Sequence, residues 1–301
     1  MVVGSSTGAS APPSCLAGER PPDGKGYIWS LGDPLFCGQP RPEETNEARR
    51  TASRLGRPGL AGSASGVRVL VLGDSTACSL FPGLQAVGRQ LGADVEQGSV
   101  FGCGMVTARP TSVRGDQLTP HAERCPAMVR QAQDTAVGQL DPDVIVWTST
   151  WEKADLLIGG RTYVSGTPAG DRVMLEQMDL TLARITRKGA RVVVVTSAPS
   201  APNDGDLTDG TKKRIADQSY ARLRRIEERF AERHRDQVTL VDLAARVCPG
   251  GAPCPAEVDG VNLRPDGRHF TRGPRRWRPT GSCPRSWPPP ADRRRCYEGI
   301  A

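Results

Sequence analysis

The sequence predicts an α/β fold on a mostly parallel, doubly wound sheet of five strands. Two observations carry this: short apolar runs of strand length recur along the chain, and amphipathic helical stretches separate them. The first run, "VRVLVL" at 67–72, is apolar without alternation, as a strand covered on both faces requires. Four more follow: "DVEQGSV" (94–100), the weakest, then "DVIVW" (143–147), "RVVVVT" (191–196) and "QVTLVD" (237–242). The clearest helices fall at 171–188 and 212–234. In the first of these, Val173, Met174, Met178, Leu182 and Ile185 share one face at helical spacing. No internal repeat is visible, so the reading is one α/β domain over 66–271.

Residues 1–65 are rich in Gly, Pro, Ser and Arg and read as a linker or partly ordered segment, with one short helix in "NEARRTASRLGRPG". The formal charge of +7 is local. Eight arginines after Phe270 face only Asp292 and Glu298, which leaves the rest of the chain nearly neutral. Of the 40 basic residues 35 are arginine, a skew that fits a G+C-rich genome better than a phosphate-binding surface. Nucleic acid is therefore not an expected partner. No run approaches 18 apolar residues, so no direct membrane span is expected. The start, "MVVGSSTGASAPPS", has neither the basic nor the apolar region of a signal peptide.

Nine cysteines suggest disulfides. Cys248 and Cys254 bracket a short loop, Cys103 and Cys125 flank a polar one, and Cys15 with Cys37 makes a third plausible pair. Neither C-x-x-C nor H-x-x-H occurs, which argues against structural zinc. Cys78, one helical turn after Ser75, reads as a small buried apolar residue. Oxidised cysteines without an export signal point to a fragment of a longer exported or membrane-anchored protein, extracytoplasmic in location.

In doubly wound folds ligands sit beyond the carboxyl ends of the strands, so strand-end residues are examined first. Strand one ends in Gly73-Asp74-Ser75. A serine there is a natural N-cap, and it is also well placed as a nucleophile, because a helix N-terminus favours negative charge. A serine hydroxyl needs a base within hydrogen-bond reach. Of the three histidines, His121 lies in a polar loop and His234 ends a charged helix. His269 follows the last strand with Asp266 three residues before it, in "RPDGRHF". A carboxylate so placed can hold the imidazole in one tautomer and leave its other nitrogen to take the serine proton. No G-x-G-x-x-G follows strand one, so dinucleotide binding is not supported.

"GDS" after strand one with D-x-x-H after the last strand resembles the SGNH (GDSL) hydrolase superfamily over about residues 67–271. The resemblance implies a flavodoxin-like three-layer sandwich and hydrolysis or transfer of acyl esters without a cofactor. It implies Ser75 as nucleophile, His269 as base and Asp266 as its partner. It also implies an oxyanion hole from the Ser75 amide and a glycine after strand two, Gly102 or Gly104 in "VFGCGM". Where many relatives carry G-x-N-D, this chain has Ser149-Thr150-Trp151-Glu152, so Trp151 stands at the usual Asn position. An indole N–H can donate one hydrogen bond there. "WE", "GCGM" and the C-x₅-C loop are most similar to the SGNH domain fused to membrane acyltransferase-3 proteins. That similarity implies an acyl-ester or glycan substrate and a membrane acyltransferase-3 domain as partner. An alternative keeps the fold but not the chemistry: Trp151 would mark a weakened or inactive domain that binds glycan or supports such a partner.

Two segments stand apart. The loop 197–210, "SAPSAPNDGDLTDG", reads as a solvated wall of the acyl or acceptor pocket, its acidic residues lacking a calcium loop's full set. The tail 272–301 has no apolar periodicity. Codons permitted for 273–284 spell an apolar helical pattern in another frame, so the tail reads as frameshifted.

Overall fold

The computed structural model describes residues 36–40, 42–54, 63–113, 116–117, 120–205 and 209–270. Cys15 itself, most of the N-terminal segment and the tail from 271 onward, with the frame-shift reading of that tail, lie outside the described residues.

Five strands form an all-parallel sheet: β1 (Arg68–Gly73), β2 (Asp94–Gln97), β5 (Val144–Thr148), β8 (Arg191–Val195) and β9 (Val238–Val241), in the order β2-β1-β5-β8-β9. This is a three-layer α/β sandwich of flavodoxin-like strand order. Side chains alternate between two cores, as the pleat demands. Leu70, Leu72, Ile145, Trp147, Val192 and Val194 point into the larger core. They meet α3 (Cys125–Leu140), α4 (Pro168–Ile185) and α5 (Gly210–Arg233) through residues such as Val137, Met178 and Phe230. Val71 and Val146 point the other way, onto Ala77 and Phe81 of α2 (Ser75–Leu91). Both faces of the sheet are covered, so its strands read as unbroken apolar runs.

The helix ends follow local chemistry. The side chain of Thr167 accepts the Gly170 amide and Pro168 occupies the first turn, so α4 starts three residues before the predicted stretch 171–188. Gly92, in the left-handed conformation at φ 83°, ends α2. All five apolar residues assigned to one face of α4 are buried.

Two features were not expected. A second, antiparallel sheet of order β4-β3-β6-β7 joins β3 (Arg109–Val113), β4 (Asp116–Gln117), β6 (Asp155–Ile158) and β7 (Arg161–Tyr163). Its strands are short, and Pro110 sits within one of them. Gly159-Gly160, both at positive φ, make the two-residue turn between β6 and β7. Part of the N-terminal segment also joins the domain. Phe36 bridges Val100, and the Cys37 amide donates to the Ser99 carbonyl at 3.1 Å. Gln39 links Glu96 to Gln85 by two 3.1 Å hydrogen bonds, and α1 (Pro42–Arg54) lies against α2. Cys37 pairs with Cys78, not with Cys15, so Cys78 is a tether rather than a free apolar residue. Cys103–Cys125 and Cys248–Cys254 are both bridged. Among the described residues no helix is long and apolar enough to cross a membrane.

Candidate active site

The chain runs from β1 out to β2 on one side and then back to β5 on the other. The crevice beyond the carboxyl ends of β1 and β5 is therefore the switch point of the sheet, where loops part and a ligand can enter. Ser75 sits there.

The Gly-Asp-Ser turn divides its labour by residue. A Cβ on Gly73 would lie 1.7 Å from the Thr148 carbonyl oxygen, so only glycine lets β1 end this close to β5. Asp74, not Ser75, is the N-cap of α2: its Oδ1 accepts the Thr76 amide at 2.7 Å. Its Oδ2 accepts the Thr150 amide at 2.7 Å and the Thr150 hydroxyl at 2.8 Å. This fully buried carboxylate thus pins the loop after β5 to the start of α2. The capping role proposed for Ser75 is corrected, because the longer side chain before it reaches the free amides first. Ser75 is left at the first helical position with its hydroxyl free for other work.

That hydroxyl meets His269. His269 Nε2 lies 2.9 Å from Ser75 Oγ, across 194 residues of sequence. His269 Nδ1 lies 2.6 Å from Asp266 Oδ2. Asp266 Oδ1 accepts the amides of Arg268 at 2.9 Å and His269 at 2.8 Å. Burial alone would push the Asp266 carboxyl up. The hydrogen bonds from the His269 ring and from the two amides, with the attraction of an imidazolium, outweigh it and hold the carboxyl well below the usual range. An ionised carboxylate only accepts, so Nδ1 carries the proton and Nε2 is left to accept from the serine.

The loop that carries His269 is braced from behind. A Cβ on Gly267, which has φ 84°, would fall 2.5 Å from the Asp204 amide nitrogen. Arg268 Nε donates to Asp204 Oδ2 at 2.6 Å, and Asn203 donates to the carbonyls of Arg264 at 3.0 Å and Pro265 at 3.2 Å. Arg264 donates to the Pro199 carbonyl. The reading of 197–210 as a solvated loop is corrected at Asp204, which is 4% exposed and paired. Pairing with Arg268 offsets the cost of burying that carboxylate.

Gly102 and Gly104 lie after β2. The Gly98 amide donates to the Val71 carbonyl at 2.8 Å and the Val100 amide to the Gly73 carbonyl at 2.9 Å, so this turn leaves the sheet beside Ser75. Gly102 has φ 69°, and the Cys103–Cys125 bridge ties the turn to α3. A Cβ on Gly104 would stand 2.9 Å from Trp151 Cβ and 3.0 Å from Glu152 Oε1. Trp151 is half-buried in a short 3₁₀ turn, Trp151–Lys153, its amide donating to Ser149 Oγ at 3.2 Å. The structure thus gathers Ser75, His269 and Asp266 into one hydrogen-bonded chain and sets Gly104 against Trp151. The other histidines serve elsewhere: His234 Nε2 lies 2.8 Å from Asp179 Oδ1, and His121 falls in the 3₁₀ turn Pro120–Glu123.

Three contributors were missed by sequence reading: Asp74 as cap and tether, Asp204 with Arg268 as brace, and Glu152. Only the first had a local signal, an Asp directly before an apolar helical stretch.

Glu152 and Glu227 are both buried near this end of the sheet. Burial raises the Glu227 carboxyl well above its ordinary value and the charge of Glu152 adds to the rise, while the Ser197 amide and Arg224 oppose it. A carboxyl raised in the folded state stabilises below its unfolded value, about 4.3. That contribution is lost as pH rises through the folded value. Glu227→Gln should therefore raise the melting temperature at about pH 8 and leave it unchanged near pH 4. Thermal melts at the two pH values check this, and equal shifts at both would contradict it.

The family model described as the SGNH domain fused to AT3 domains matches residues 38–274, and the chain belongs to that family. No curated protein sequence matches it. Among solved structures it is similar to the periplasmic domain of a lipopolysaccharide acetyltransferase of Salmonella ser. Paratyphi A. That match has 13% identity over 76% of this chain and 91% of the other, with a TM-score of 0.43. A GDSL-like lipase of Bacteroides thetaiotaomicron is similar at 10% identity, over 76% of this chain and 91% of the other, with a TM-score of 0.40.

Proposed function

We propose that this chain is a serine-dependent acyl-ester hydrolase or O-acyltransferase. The observation that carries the reading is the continuous hydrogen-bonded line from Ser75 Oγ through the His269 ring to Asp266. Ser75 Oγ attacks the acyl carbonyl carbon while His269 Nε2 takes the hydroxyl proton. Collapse of the tetrahedral adduct breaks the ester C–O bond, and the imidazolium returns the proton to the leaving alcohol. Water or a sugar hydroxyl then attacks the acyl-serine by the same steps in reverse. Asp266, held ionised, favours the imidazolium throughout. The amide of Ser75, with that of Gly102 or Gly104 and the Trp151 indole, supplies donors to the oxyanion.

The substrate we propose is an acylated glycan or glycosylated small molecule, handled outside the cytoplasm beside a membrane acyltransferase-3 domain. The family's fusion to AT3 domains supports the partner, and three disulfides support an oxidising compartment. The domain of this activity spans about 66–271, with the bridge-forming segment from Phe36 as its extension.

Exposure to a fluorophosphonate, read by intact mass and peptide mapping, tests the reading. One adduct per chain on Ser75, absent from His269→Ala, is expected. A folded protein that takes up no label at Ser75 would overturn it.

A further inference from the structure

Behind the Gly102–Met105 turn lies a buried carboxylate that the mechanism above does not use. Glu152 is 1% exposed and its Oε1 accepts the Met105 amide at 2.7 Å. The same oxygen stands where a Cβ on Gly104 would come within 3.0 Å, so carboxylate and turn are in direct contact. Met105 is gripped at its carbonyl too, by Gln133 of α3 at 2.8 Å and by Thr181 of α4 at 3.4 Å. Glu152 is itself held from the far side. Arg222 Nη1 donates to its carbonyl at 3.3 Å, and Arg222 Nε donates to Asp171 of α4 at 2.6 Å. A buried carboxylate is costly. Apolar packing between Trp151 and Ala154 would stabilise the fold as well or better. What a carboxyl oxygen provides and an apolar side chain does not is a directional acceptor for one backbone N–H.

We propose that Glu152 is a positioning residue, which acts through the Met105 amide to fix the Gly102–Met105 turn at the geometry the oxyanion needs. The inference rests on the acyl-transfer reading of Ser75. The turn has glycines at 102 and 104, so its backbone is free to rotate unless both ends are held. The Cys103–Cys125 bridge holds the turn to α3, and Glu152 holds it to the loop after β5. Asp74 pins that same loop to α2 through Thr150, so Ser75 and the turn share one rigid reference. Donors must sit within a fraction of an ångström of the developing oxyanion, and a small misplacement costs up to about 10²-fold.

The test compares Glu152→Gln, Glu152→Asp and Glu152→Ala with the wild type. Gln keeps an acceptor at the same reach, Asp withdraws it by one methylene with the carboxyl kept, and Ala removes it. Two readouts are taken: hydrogen exchange at the Met105 amide, and the kinetics of fluorophosphonate labelling and p-nitrophenyl acetate turnover. In the wild type the Met105 amide should be among the slowest to exchange in its loop. In the Asp and Ala variants its exchange should rise by about 10²-fold or more, with labelling and kcat falling by about 10–10² and KM nearly unchanged. Gln should stay within about threefold of the wild type in every readout. Wild-type kinetics in a folded Asp or Ala variant whose Met105 amide exchanges freely would overturn the proposal while leaving Ser75 in its role. Fast exchange of Met105 in the wild type would overturn it without any variant. A wild type that never labels removes the acyl-transfer reading itself, and this inference with it.

Discussion

Ser75→Ala is expected to lower kcat/KM for a p-nitrophenyl ester by about 10⁴ or more, and His269→Ala by a similar factor. The reason is the single line of hydrogen bonds that joins them. Without Oγ no acyl-serine forms, and without Nε2 the hydroxyl keeps its proton and remains a weak nucleophile at neutral pH. The two losses should not add. The double variant should match the worse single one, because each removal already abolishes the covalent path and leaves only the residual work of the oxyanion donors. Asp266→Asn should cost less than either, no more than about 10⁴. Asp266 is half-exposed, so water can take over part of its hold on the ring. Ser75 belongs to neither hydrophobic core, so the melting temperature of Ser75→Ala should move little. Steady-state kinetics with melts as controls check this, and a folded Ser75→Ala that keeps more than a tenth of wild-type turnover contradicts it.

The parallel sheet was legible because each of its inner strands is buried on both faces. Leu70, Val71 and Leu72 enter opposite cores in turn, so apolar residues fill every position and the run stands out from its surroundings. The antiparallel sheet has no such imprint. Its strands hold two to five residues and carry Arg109, Pro110, Arg161 and Thr162, and only the Gly159-Gly160 turn between "DLLI" and "RTY" marks it locally. The same contrast runs through the site. Ser75, Asp266 and His269 are named by chain order, residue type and strand context. The reach of their supports has no local mark: Asp74 caps its own helix but also reaches Thr150 across 76 residues, Arg268 reaches Asp204 across 64, and Glu152 reaches Met105 across 47. Cys37 misled for a related reason. Cysteine spacing favours sequence neighbours such as Cys15, whereas the bridge to Cys78 follows from Phe36 pairing with Val100, which brings Cys37 beside the first turn of α2.

Gly73→Ala is expected to be the most damaging single-atom addition to the sheet, and the physical case is geometric. The added Cβ would stand 1.7 Å from the Thr148 carbonyl oxygen and 2.8 Å from Ala77 Cβ. Neither neighbour can move away at low cost. Thr148 is the register partner of Gly73 in the β1–β5 pair, and Ala77 is fully buried in the first turn of α2. Relief therefore requires β1 to part from β5 at its end or α2 to lift off the sheet. Either move breaks the Asp74 bonds to Thr76 and Thr150 that set Ser75 against His269. A backbone clash of this kind costs about 4–5 kcal/mol. For a domain of this size that is a fall of roughly 10–15 °C in melting temperature. Labelling at Ser75 should fail well below the temperature at which the protein unfolds. Gly83→Ala in α2 is the matched control, since a Cβ there meets nothing within 4 Å. That change should leave stability the same or raise it by about 0.5–1 kcal/mol, because alanine suits a helix better than glycine. Thermal melts and labelling of both variants decide the matter. If Gly73→Ala melts with Gly83→Ala and still labels, the close approach of β1 to β5 is not what holds Ser75 in place.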